Sequence, residues 1–231
     1  MRMLGGSAIL VVMVFFLLSG LSFGESGVRE HYEEGITYAS EGKLIQARDE
    51  FRVVLKMDPR LITAQSSLKV IDAAIALHFK KEAVMHNFKG AIFGYKGMVE
   101  KSITEYTKAI EVDPKIAAAY NNRGDAYVNI GRYGRAISDF TKAIEIEPGN
   151  AIAYTNRGNA YSEKGDYDRA ISDFTKAIEI DPEHALAYTN RGFVYMMSMD
   201  EKTMACKDLK RACELGNCRN YEITREGGHC K

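Results

Sequence analysis

The sequence has no surplus of either charge: Lys plus Arg and Asp plus Glu number 31 each. A chain that holds nucleic acid or an anionic membrane through its overall field needs a basic excess, so neither partner is expected. Catalytic signatures are lacking too. There is no Gly-rich phosphate loop, no GxSxG elbow and no HExxH pair, so nothing at the level of motifs points to an enzyme. Cysteine is absent before Cys206, and none of the four cysteines falls in CxxC or CxxCH spacing. That argues against a zinc ribbon, thioredoxin-like exchange and covalent haem. No cofactor and no metal are expected, although His229 beside Cys230 is a possible ligand pair.

What is present is the composition of an ordered chain, 46% hydrophobic and 27% charged. The first residues read as a targeting segment: Arg2 gives a positive start and residues 8–18 form an apolar run. A bilayer core needs about 20 apolar residues in a helix. Ser19, Gly20, Ser22 and Gly24 follow at once, and Ser22 and Gly24 suit a signal-peptidase site. Residues 1–24 are therefore expected to be a signal peptide, with the mature chain starting at Glu25. The alternative is an uncleaved membrane anchor; no cysteine lies nearby to support a lipoprotein. Export to a bacterial periplasm or beyond is the expectation.

Pro114, Pro148 and Pro182 recur every 34 residues, which marks an internal repeat. The unit from Ala117 aligns without gaps on the unit from Ala151. Matching positions are Tyr120 and Tyr154, Gly124 and Gly158, Tyr127 and Tyr161, Ala136 and Ala170, Phe140 and Phe174, and Ala143 and Ala177. Each unit has the pattern of two antiparallel helices, A and B. Glycine and alanine mark close approach, aromatics fill the remaining space, and an acidic residue before proline ends helix B. Weaker copies begin at Val28 and Ala83, the second with Ser102 where the packing alanine stands elsewhere. His31 and His86 take the position held by tyrosine in later units and read as core or boundary residues. A last, degenerate unit begins at Ala185; its helix B returns one residue late, as Ala205, Asp208, Leu209 and Ala212, after an insertion near Met199.

These residues and their spacing resemble the tetratricopeptide repeat (TPR) family. The resemblance implies an all-α, right-handed solenoid of about five helix-turn-helix repeats. The expected units are 28–61, 83–116, 117–150, 151–184 and 185–218, with a connecting helix over 62–82 and a cysteine-bearing cap over 219–231. It also implies a non-catalytic scaffold that holds a protein or an extended peptide on the concave face of its A helices.

The units starting at Ala117 and Ala151 share about two thirds of their residues, and their differences are concentrated. Helix B is unchanged over 136–146 and 170–180. Helix A differs at Ala118/Ile152, Asn121/Thr155, Asp125/Asn159, Val128/Ser162 and Asn129/Glu163, a single helical stripe. In TPR proteins this stripe lines the concave surface, which makes Asn121, Asp125, Ile152, Thr155, Asn159 and Glu163 groove candidates. Asn122, Asn156 and Asn190 occupy one shared position and resemble an asparagine ladder that clamps peptide units with side-chain amides. The other reading is that each asparagine bonds its neighbouring repeat. Phe193, Met196 and Met197 form an apolar end, either a socket for one anchor residue or a surface covered by the closing helix. The carboxylate clamp of chaperone adaptors is missing, because Ala118, Ile152 and Leu186 cannot neutralise an anion. Arg123, Arg157 and Arg191 are expected to pair with Asp139, Asp173 and Asp208. A structural or self-assembling envelope component with no groove ligand is the rival function.

In an exported chain an even number of cysteines predicts disulfides. Cys206 and Cys213 sit seven apart on one helix, too far along its axis to bridge. Two pairings are left. The nested one, Cys213 with Cys218 across the turn at Gly216 and Cys206 with Cys230, suits an antiparallel hairpin.

Overall fold

The computed structural model describes residues 26–76, 79–198, 201–227 and 230. The expected signal peptide and its cleavage site, Met199 at the expected insertion, and His229 lie outside the described residues. The described residues form twelve α-helices and no strand, and none of these helices is long and apolar enough to cross a membrane. They fall into two compact units divided after Gly131.

The first unit contains α1 (Ser26–Ser40), α2 (Leu44–Met57), α3 (Ile62–Ile75), α4 (Lys81–Tyr95), α5 (Val99–Val112) and α6 (Ala117–Asn129). Helices α1 and α2 pair, as do α4 and α5, while α4 also packs on α1 and α3 on α2. Bare backbone permits the close pairing. A Cβ on Gly35 would stand 2.7 Å from the Phe51 ring, and one on Gly90 would stand 2.6 Å from Tyr106. Phe51 is fully buried and stacks on Phe88 with ring centroids 6.0 Å apart. Ser102, which replaces a packing alanine, is also buried; its hydroxyl donates to the Gly90 carbonyl at 2.8 Å, so the extra oxygen is satisfied.

The connecting helix is shorter than the sequence suggests. It ends at Ile75, and a separate helix starts at Lys81. Lys80 is extended (φ −70°, ψ 127°), and its N–H donates to the Asp113 carboxylate at 3.0 Å. Asp113 precedes Pro114, is itself extended, and also accepts from the Lys115 N–H at 3.1 Å. A tertiary hydrogen bond therefore fixes a break that no proline or glycine announces locally.

The second unit contains α7 (Tyr133–Ile146), α8 (Ala151–Glu163), α9 (Tyr167–Ile180), α10 (Ala185–Ser198), α11 (Lys202–Glu214) and α12 (Arg219–Glu226). Each helix packs on the next along the series from α8 to α12, and α7 packs on α8. Phe174 is fully buried against Ala170 and Val194, and a Cβ on Gly158 would meet its ring at 2.8 Å. The A-to-B turn closes at Gly165 (φ +77°), where the Asp166 N–H reaches back to the Tyr161 carbonyl at 2.9 Å, a glycine C-cap. The start of α8 is capped by the Asn150 side chain, which accepts from the Ala153 N–H. Ala205, Leu209 and Ala212 are fully buried on α11, in the register that a one-residue insertion gives.

Candidate functional site

The A helices of the second unit, α8 and α10, are held by a repeated polar frame. Arg157 donates to both Asp173 oxygens at 2.8 Å and, through Nη1, to the Thr141 hydroxyl at 3.1 Å. Arg191 makes the same set with Asp208, at 2.7 and 2.9 Å, and with Thr175 at 2.9 Å. The pairs are 16 and 17 residues apart in sequence, which records the inserted residue of the last repeat. Each guanidinium therefore ties its A helix to the B helix of its own repeat and to the B helix before it. The Arg157 charge also lies 5.5 Å from the Tyr154 ring centroid. Hydrogen bonding to Asp173 holds Arg157 above the ordinary guanidinium range. In the first unit Arg123 donates to Thr107 at 3.0 Å. These arginines are spent on the fold.

The stripe of groove candidates divides by exposure. Ile152 and Asn159 are partly exposed and Glu163 is exposed. Thr155 and Asn156 are not on an open wall: they are 1% and 6% exposed. The Thr155 hydroxyl donates to the Ala151 carbonyl and meets His184 Nε2 at 3.0 Å. It is a packing residue, which corrects its assignment to the groove. Asn156 is likewise too enclosed for a ladder rung.

The other two asparagines bond neighbouring repeats. Asn190 Nδ2 donates to Asn159 Oδ1 at 2.8 Å, between α10 and α8. In the first unit Asn122 Nδ2 donates to Asn87 Oδ1 at 3.2 Å, between α6 and α4. Asn121 and Asp125 on α6 are partly exposed, and burial pushes the Asp125 carboxyl up to about 7. At the apolar end Phe193 is 38% and Met197 61% exposed, with Met196 partly buried, so α12 does not cover them. A hollow of about 440 Å³ lies elsewhere, between Ile178, Tyr188, Met204 and Arg211.

Sequence reading missed a set of ties between successive repeats. His184, just before α10, is buried and bonds Thr155; Asn217, just before α12, donates to Thr189 at 3.1 Å. Burial lowers the His184 pKa, and nearby Asp181 offsets this only in part. A polar residue just ahead of an A helix, matched to a threonine one repeat earlier, is the signal that could have found them. At the C-terminus Cys206 pairs with Cys230 and Cys213 with Cys218, with Cα separations of 5.5 and 3.8 Å. Cys230 is 3% exposed, and its N–H donates to the Thr224 carbonyl, docking the chain end on α12.

Residues 90–131 and 124–165 match a family model described as TPR repeat, and residues 151–184 match one described as tetratricopeptide repeat. A crystal structure of MamA is similar over 84% of this chain and 96% of its own, at 24% identity and a TM-score of 0.53. MamA MSR-1 C2 matches at 20% identity over 81% of this chain and 95% of its own, with a TM-score of 0.53. The first TPR of Spaghetti (RPAP3) bound to the HSP90 peptide SRMEEVD matches at 24% identity over 50% of this chain and 92% of its own, with a TM-score of 0.50. These likenesses establish the fold class, an all-α TPR solenoid. No curated protein matches the chain by sequence.

Proposed function

We propose that this chain, which carries tetratricopeptide repeats over residues 90–184, is an exported, non-catalytic scaffold whose C-terminal A helices hold an extended segment of a partner protein. The observation that carries the reading is the exposure of Phe193 and Met197, one turn apart on α10, beside the Asn190–Asn159 amide pair. Large apolar side chains at i and i+4 on a helix whose packing face is already filled are a docking feature more than a folding one. The partly exposed Asn190 amide has bonding capacity beyond its contact with Asn159, enough to meet one peptide group. That a TPR of the same fold binds a peptide, SRMEEVD, supports the class of ligand. The absence of a basic residue at Ala118, Ile152 and Leu186 argues against a grip centred on a terminal carboxylate.

The test is affinity capture from an envelope extract with the wild-type chain and with a Phe193→Ser/Met197→Ser variant, helicity being checked on both. A partner set retained by the wild type and lost by the variant is expected. Equal capture by both would refute the assignment of the site, and a mass that rises with concentration in the wild type alone would favour self-assembly through the same patch.

A further inference from the structure

The polar frame of the repeats has one place where its charge is reversed. Counted from the start of each unit, the seventh residue is Lys89, Arg123, Arg157 or Arg191 in four repeats, and the residue facing it on helix B is Glu105 or an aspartate. In the first repeat the seventh residue is Glu34, and the facing position holds Glu50. A cation slot has become a second carboxylate.

His31 completes the group. Its Nδ1 lies 2.6 Å from Glu50 Oε2, and one ligand atom from each of His31, Glu34 and Glu50 lies within 4.8 Å of the others. His31 and Glu34 are three apart on α1, hence on one face, and Glu50 reaches them from α2. The second repeat serves as an internal control. His86 Nδ1 bonds Glu105 Oε2 at the same 2.6 Å, but Lys108 closes the other carboxylate oxygen at 2.7 Å and Lys89 replaces the third carboxylate. In the first repeat the residue equivalent to Lys108 is Val53, which supplies no charge.

We propose that His31, Glu34 and Glu50 bind one divalent transition-metal ion of the zinc type, which clips α1 to α2 and takes the place of the lysine or arginine that the other repeats supply. One imidazole with two carboxylates is a borderline donor set. Magnesium and calcium prefer all-oxygen shells of six or more ligands, and soft copper(I) prefers sulfur. Tetrahedral zinc bonds of about 2.0–2.2 Å place ligand atoms roughly 3.3–3.6 Å apart. The Glu34 side chain is exposed and free to swing inward by the difference, while the ion takes the place of the direct His31–Glu50 contact. Water would fill the fourth position. The site is built from α1 and α2 and shares no residue with the A-helix surface of α8 and α10, so either assignment can fail alone.

The experiment is Zn²⁺ titration of the full-length, disulfide-intact, chelator-stripped chain by calorimetry, with Co²⁺ absorption to report coordination and thermal unfolding to report the clip. Two variants are compared. Glu34→Gln removes one ligand charge, and Glu34→Lys copies the second repeat; both substitute an exposed side chain. The wild type is expected to take up one equivalent of Zn²⁺ and to unfold at a higher temperature with it. Glu34→Gln should bind about tenfold or more weakly. Glu34→Lys should lose both the uptake and the thermal shift. Folded wild-type chain that takes up no Zn²⁺ at about 1 mM would overturn the proposal, as would variants that bind as the wild type does, since the ion would then sit elsewhere.

Discussion

At the residue scale, Asp125 and Asn159 occupy one position in consecutive repeats, and only the first carries a charge. Burial raises the Asp125 carboxyl from 3.8 to about 7. A group whose folded pKa lies above its unfolded value adds stability that is complete below the unfolded value and is lost as pH rises through the folded one. Between about pH 4 and pH 7 the wild type should therefore lose stability that Asp125→Asn keeps. Because the side chain retains some solvent contact, we expect a gain of roughly 1–3 kcal/mol for the variant at pH 8, less than the full shift implies. Urea unfolding at pH 4, 6 and 8 measures it, and parallel pH curves for the two chains would contradict it. Burial of this kind is what sequence periodicity reads least well. The 3.6-residue period fixes where each Cβ points, which puts Ile152, Thr155 and Asn159 on one stripe, with the ladder candidate Asn156 beside it. How near the next helix lies was not legible, and this is why Thr155 and Asn156 prove to be packing residues.

At the scale of the element, pairing inside a repeat depends on the space that glycine leaves. Gly158→Ala puts a methyl group 2.8 Å from the rigid Phe174 ring, and we expect a loss of about 1–3 kcal/mol, read as a lower denaturant midpoint with unchanged slope. These contacts were legible in the sequence, since small and aromatic residues recur at fixed offsets. The end of α3 was not, because it depends on Asp113, 33 residues beyond Lys80. The C-terminal hairpin supplies a second prediction. Among the described residues α12 packs chiefly on α11, and the Cys206–Cys230 bridge ties Cys230, beyond α12, back to α11. Reducing both disulfides should speed amide exchange in α12 strongly while leaving α8 and α9 protected, with a cost of about 2–4 kcal/mol per bridge to the local opening equilibrium. Uniform acceleration across the second unit would show that the bridges support more than the cap.

At the scale of the whole molecule, two requirements act on different faces of the same helices. The Arg157–Asp173 and Arg191–Asp208 pairs, with Gly158 against Phe174, join the two helices inside a repeat, while the Arg157–Thr141, Arg191–Thr175, Thr155–His184 and Thr189–Asn217 ties fix one repeat on the next. Such contacts are each nearest-neighbour, so stability accumulates repeat by repeat and leaves the outer positions of the A helices free to carry Phe193, Met197 and Glu163. The central claim is that a partner lies along those positions. Site-specific photo-crosslinking tests it most directly: a benzophenone side chain placed at Phe193 on α10, or at exposed Ser172 on helix B α9 as the reference, is irradiated in an envelope extract. The account predicts discrete adducts from position 193 and none from position 172. Equal labelling at both positions, or adducts from position 172 alone, would contradict it.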